Sequence, residues 1–167
     1  SRSFESLHEQ LESRSRDRRI IQPIVEEILE AQITSALDDL GIINTLGPIR
    51  WPPIDFTFES NPLLLVTSPK SQIQRLPDVI LSPGLNLSDQ EELEVAIEHL
   101  EGVSALVIQI GGLATYPASI SPESSLHRAL TLASHEWLHH HLFFRPLGRQ
   151  YWSSGPLMSI NETVANI

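Results

Sequence analysis

Hydrophobic positions recur along this chain at helical spacing near the start, at alternating spacing in the middle, and at helical spacing again toward the end. Phe4, Leu7 and Leu11 share one helical face among polar neighbours and predict a short amphipathic helix. Pro23 suits a first helical turn, with Glu26 and Glu27 at the positive end of the helix dipole, so a second helix is expected from Pro23 to Leu40. Its apolar stripe is Val25, Ile28, Leu29, Ile33, Ala36, Leu37 and Leu40, and Gly41 supplies the stop. Prolines and a glycine mark a loop between Ile42 and Pro53, after which Ile54, Phe56 and Phe58 alternate with polar residues as a half-buried strand does. Pro62 to Val66 and Ile73 to Leu81 are further strand candidates, the second suited to an edge or bulge because Pro77 cannot donate to a ladder.

Ser88-Asp89-Gln90-Glu91 fits a capping box, and Leu93, Ile97 and Leu100 continue the helix until Gly102. Ser104 to Ile110 is rich in β-branched and apolar residues and ends at Gly111-Gly112, a strand ending or bulge, which predicts a central strand. Leu113 to Ile120 is expected to stay extended or irregular. Ser121-Pro122-Glu123 offers an N-cap, a first-turn proline and a first-turn acid, opening a long helix through Leu126, Leu130 and His135. Arg145 to Ser159 reads as a loop, followed by a helix from Ile160. The predicted class is α+β: N-terminal helices, a small mixed sheet, and a long helix packed beneath it.

Composition narrows the possibilities. The formal charge of -10, from 21 acidic against 11 basic side chains, argues against a nucleic-acid binder, which needs a basic face for phosphates. Cysteine is absent, so thiolate metal sites, cysteine nucleophiles and disulfides are excluded. No apolar run approaches the roughly 18 residues that cross a bilayer, and the start lacks a signal-peptide pattern, so the expectation is a soluble chain of unassigned compartment. It starts at Ser1 without methionine and stops at Ile167, so it is read as an excised piece, with membrane tethering outside it left open. At 167 residues it suits one ordinary domain, divided into a helical segment 1–41 and a catalytic domain 42–167.

The chemistry concentrates in His135-Glu136-Trp137-Leu138-His139, an HExxH pattern, with Glu162 following 23 positions later. Residues four apart share a helix face, so His135 and His139 can offer imidazole nitrogens to one ion while Glu136 leans over it. His135, His139 and Glu162 make a three-ligand set of the kind that leaves a fourth position to water, and Glu136 is then free to act as general base. His140 and His141 turn away from His139 by about 100° and 200° and suit supporting or surface roles. Trp137 is expected in the core, facing away from the metal. His127 lies eight positions before His135 and is read as a surface group or a support for the site, and His8 and His99 as solvated.

Together with Asn161-Glu162-Thr163-Val164-Ala165, this pattern resembles the gluzincin metallopeptidases, the clan of thermolysin-like proteases and M1 aminopeptidases, over Ser134 to Ile167. The resemblance implies a zincin-like fold, one zinc ion held by His135, His139 and Glu162, Glu136 as general base and acid, and a peptide or protein substrate. It also implies an edge strand holding the substrate extended, here Ser104 to Tyr116. Two features depart from the clan. The M1 glycine motif is absent, and Asn166 stands where thermolysin-like enzymes carry the acid that orients the first histidine. Asn166 is expected to accept from the far nitrogen of His135. The clan's oxyanion donor falls to Tyr151 or Tyr116.

The expected function is therefore a zinc-dependent peptidase. The alternative is a zinc-stabilised, non-catalytic or latent interaction module, including the soluble part of a membrane protein, with His140 or His141 as a fourth ligand in the structural case. In a third reading the N-terminal helices up to Leu40 cover the cleft.

Overall fold

A computed structural model describes residues 2–42, 44–46 and 49–166 of the chain. The elements in chain order are helix α1 (Arg2–Asp39), strands β1 (Asn44–Leu46), β2 (Ile49–Trp51), β3 (Phe56–Phe58), β4 (Leu63–Pro69) and β5 (Val79–Leu81), helix α2 (Leu87–Glu101), strands β6 (Val103–Gln109), β7 (Gly112–Leu113) and β8 (Ala118–Ile120), and helices α3 (Leu126–Phe143), α4 (Pro146–Arg149) and α5 (Gly155–Ala165). The class is α+β, as expected. Three small sheets replace the single mixed one. β1 and β2 form an antiparallel hairpin, β3-β8-β7 is mixed with β3 parallel to β8, and β5-β4-β6 is antiparallel.

Several boundaries differ from the sequence reading. α1 runs unbroken through Pro23. Pro23 and Arg19 are both exposed, so the Arg19 carbonyl that loses its intrahelical donor faces water. Residues 42–53 hold the β1–β2 hairpin instead of a loop, although Gly47 and Pro48, which marked the turn, lie outside the described residues, as does Ile167. α2 is capped by Asn86, whose side chain accepts from the Asp89 N–H, and not by Ser88. It ends on Gly102, which takes φ 64°, a left-handed conformation that a glycine adopts without strain. α3 opens at Ser125, whose side chain accepts from the Arg128 N–H, and not at Ser121, whose N–H is tied to the Gly111 carbonyl at 3.0 Å. β6, expected to be central, is an edge strand. The centre of the other three-stranded sheet is β8, within the stretch expected to be extended or irregular. The expected loop 145–159 contains α4 and the start of α5.

Two apolar clusters follow from these placements. Leu29 and Ile33 of α1, Ile54 and Phe56, Ala118 and Ile120 of β8, and Ala129, Ala133 and Trp137 of α3 form the first. Leu63 and Leu65 of β4 with Val107 of β6 form the second, under Leu93 and Ile97 of α2. Asn61 links the two three-stranded sheets. Its buried amide donates to the Ile110 and Gly111 carbonyls at 3.2 and 3.3 Å and accepts from the Ser119 hydroxyl of β8.

Two helices close two sheet edges in the same way. On α1, Glu26 accepts from the Phe58 N–H at 2.6 Å and Glu30 from the Phe56 N–H at 2.9 Å, sealing β3. On α2, Glu94 accepts from the Val107 N–H at 2.7 Å and Glu98 from the Ala105 N–H at 3.2 Å, sealing β6. In each case carboxylates four apart on a helix meet N–H groups two apart on a strand, because both spacings are close to 6 Å. Glu26 thus serves the strand, where the sequence reading had placed it at a helix start. Unpaired edge strands template association, so these acceptors block it. Replacing both Glu94 and Glu98 by Ala is expected to lower stability by about 1–2 kcal/mol in urea unfolding. It is also expected to raise light scattering, since the opened strand carries the exposed Leu106 and Ile108. Unchanged unfolding and scattering would show that the carboxylates do not guard the edge.

Candidate metal centre

α3 turns its buried stripe, Ala129, Ala133 and Trp137, onto β8, and this orients the whole HExxH segment. Trp137 is buried as expected, its indole N–H donating to the Pro52 carbonyl at 2.8 Å. With that face fixed, His135 and His139 point toward α5. The chain reaches α5 through α4, where Gly148 packs so closely that a Cβ would run into the Leu142 carbonyl of α3. α5 starts at the Ser154 N-cap with a proline in its first turn, and it buries Asn161 and Ala165, four apart, against α3. Glu162, beside Asn161, is thereby carried to the two histidines.

His135 Nε2 and His139 Nε2 lie 3.0 Å apart, and Glu162 approaches them at 3.4 and 3.6 Å. One ligand atom from each of the three lies within 4.8 Å of the others. The opposite nitrogen of each ring decides the tautomer. His135 Nδ1 is 3.2 Å from the Ala165 carbonyl, which only accepts, so Nδ1 carries the proton. His139 Nδ1 is 2.9 Å from Asn161 Oδ1, and the Asn161 amide donates to the Leu147 carbonyl at 3.4 Å, so His139 Nδ1 is the donor as well. In the neutral rings both Nε2 atoms are then bare lone pairs, facing one another and a carboxylate. Burial, the main cause, holds the His139 pKa below the usual imidazole value despite the Glu162 charge. Three converging acceptors without a proton among them suit a cation. Zinc bonds of about 2.0–2.1 Å at tetrahedral angles place donor atoms roughly 3.3 Å apart, close to the separations found.

Glu136 is buried beside this set, and burial, with the Glu162 charge second, raises its pKa to about 7. Its neighbour across the cavity is Gly112 of β7, where a Cβ would fall 2.5 Å from Glu136 Oε1. A cavity of about 860 Å³ opens from here, with His135, Glu136, His139 and Glu162 on one wall and Trp51, Phe143, Phe144 and Trp152 among its apolar lining. No residue of α1 lines it, so the N-terminal helix does not cover the cleft.

Of the two tyrosines, Tyr151 reaches the centre, its hydroxyl donating to Glu162 Oε1 at 2.5 Å. Burial first, then this bond, raises its pKa to about 12. Tyr116 lines the same cavity, more than half exposed, with its ring 5.5 Å from that of His140. Asn166 does not serve His135. Its amide donates to the Glu162 carbonyl at 2.8 Å at the end of α5, and the main chain of Ala165 takes the role expected of it. Asn166 turns its side chain back onto its own helix, and the carbonyl one residue earlier lies against His135 Nδ1 instead. His140 and His141 stay outside the ligand group among the described residues, and the His141 ring lies 5.1 Å from that of Trp137, tilted by 42°. His127, His8 and His99 are exposed.

Searches of protein-family models, curated proteins and solved structures give no match for this chain. The centre is therefore read from its own residues. Asn161 and Gly112 are the functional positions that the sequence reading missed. Asn161 carried a signal, since it sits four before Ala165 and next to a ligand; Gly112 carried only the mark of a strand end. Asn161→Ala is expected to weaken zinc affinity about 10–100-fold in competition with a chelator, because it frees the His139 ring, while Asn166→Ala leaves affinity unchanged. Equal affinities for all three proteins would overturn the orientation described.

Proposed function

We propose that the chain is a zinc-dependent peptidase of zincin-like architecture, with His135, His139 and Glu162 as ligands. The observation that carries the reading is the pair of histidines locked by Ala165 and Asn161 with bare Nε2 atoms turned on Glu162, next to a buried Glu136 in a cavity. Zinc, when bound, supplies the Lewis acidity that polarises a carbonyl and acidifies water. Glu136 takes a proton from the attacking water at its carboxylate and delivers it to the leaving amine nitrogen, so the peptide bond and water become a carboxyl group and an amine. Tyr151 holds the Glu162 carboxylate through its hydroxyl and is the tyrosine near enough to the centre to donate to developing negative charge.

Sheet edges support an extended substrate on β7. Carboxylates of α1 and α2 occupy the outward N–H groups of β3 and β6, so the expected substrate strand Ser104 to Tyr116 contracts to the stretch around Gly112 and Leu113 that borders the cavity. The absence of His140 and His141 from the ligand group favours catalysis over the closed structural site of the alternative reading.

Glu136→Gln is expected to retain one zinc per chain and to lose at least about 100-fold in hydrolysis of a random peptide pool. Undiminished cleavage would sink the mechanism, and zinc-loaded wild type without cleavage would favour the interaction module. Gly112→Ala, which pushes a methyl group against the Glu136 carboxyl, is expected to lower cleavage in the same assay with zinc content preserved.

A further inference from the structure

α1 extends beyond the body of the protein as an arm. Every residue from Phe4 to Ile21 is exposed, a span of about 27 Å at 1.5 Å per residue, and the helix first packs on the body near Gln22, whose amide reaches the Phe58 carbonyl at 2.8 Å. An isolated helix in water is marginal, and most helical stability comes from packing an apolar face. This arm has such a face with nothing on it. Phe4, Leu7, Leu11, Arg14, Arg18, Ile21, Val25 and Ile28 follow one another at alternating steps of three and four, the spacing of a two-helix seam. Phe4 is 77% exposed, Leu11 67% and Ile21 54%.

Charge along the arm indicates what covers it. Glu5, Glu9 and Glu12 precede a basic block of Arg14, Arg16, Arg18 and Arg19. Two arms side by side in parallel would set Arg14 against Arg14 and Arg18 against Arg18 within the seam. Antiparallel arms avoid this. With Phe4 of one copy opposite Ile21 of the other, Leu7 meets Arg18 and Leu11 meets Arg14, so each layer pairs an apolar side chain with an isoleucine or with the aliphatic stem of an arginine. The same register brings Glu5 of each arm beside Arg19 of the other on one flank of the seam, so the acidic start of one arm runs along the basic block of its partner. The two bodies, joined near Gln22, then stand at opposite ends of the pair.

We propose that α1 is a dimerisation arm that pairs antiparallel with α1 of a second copy of this chain. The pairing is independent of the metal centre, since no α1 residue lines the cavity. Sedimentation equilibrium of the zinc-loaded chain is expected to give twice the 18.7 kDa chain mass. The variant combining Leu7→Glu with Leu11→Glu is expected to give a single chain mass with an unchanged far-ultraviolet signal from the body. Because the chain has no native cysteine, orientation is read by oxidising a mixture of Phe4→Cys and Ile21→Cys chains. Cross-links between position 4 and position 21 are expected. A monomeric wild type, a dimer that survives the double glutamate variant, or cross-links joining position 4 to position 4 would each overturn the proposal.

Discussion

The arrangement depends on the hydrogen bonds that α5 makes to the outer nitrogens of His135 and His139. A carbonyl and an amide oxygen each demand a proton from Nδ1, and each imidazole has only one proton in its neutral form. The inner nitrogens are therefore left as acceptors, 3.0 Å apart and beside a carboxylate. Such a grouping is electrostatically unfavourable until a cation enters it. In the proposed zinc site, the packing of α5 against α3 thus prepares the ligand group as much as the identity of its residues does.

That packing is in turn set by groups with little chemistry of their own. Trp137 pins the face of α3 by its bond to Pro52, and Gly148 permits the close turn into α4. Ser154 starts α5, and Asn161 and Ala165 fix its rotation. Glu136 depends on a different neighbour, since it lies buried against the one β7 residue that leaves room for its carboxyl. A buried carboxyl of raised pKa next to a cation site is costly for folding and useful for proton transfer.

The sheets are too short to protect themselves, and the chain meets this with glutamates four apart on α1 and α2. The same device separates functions. Edges that only need closing are capped by carboxylates, while β7, which borders the cavity, is paired on one side to β8 and faces the site with the other. The strongly acidic composition acquires a local meaning here, because four of the glutamates are structural acceptors for backbone N–H groups.

The HExxH spacing, the later Glu162 and the helices that carry them were legible in the sequence because helical periodicity is local: residues four apart share a face wherever the helix lies. The stop at Gly102 and the apolar stripe around Leu29 and Ile33 obey the same short-range rules. Tertiary structure decided what local rules leave open. Pro23 did not open a second helix but lies inside α1, because an exposed turn can give a lost carbonyl bond to water. β6 took an edge and β8 the centre of a different sheet, because strand order depends on long-range pairing that periodicity does not encode. Ala165 replaced Asn166 behind His135 because a main-chain carbonyl has no sequence signature, and its aim follows only from the angle at which two helices meet.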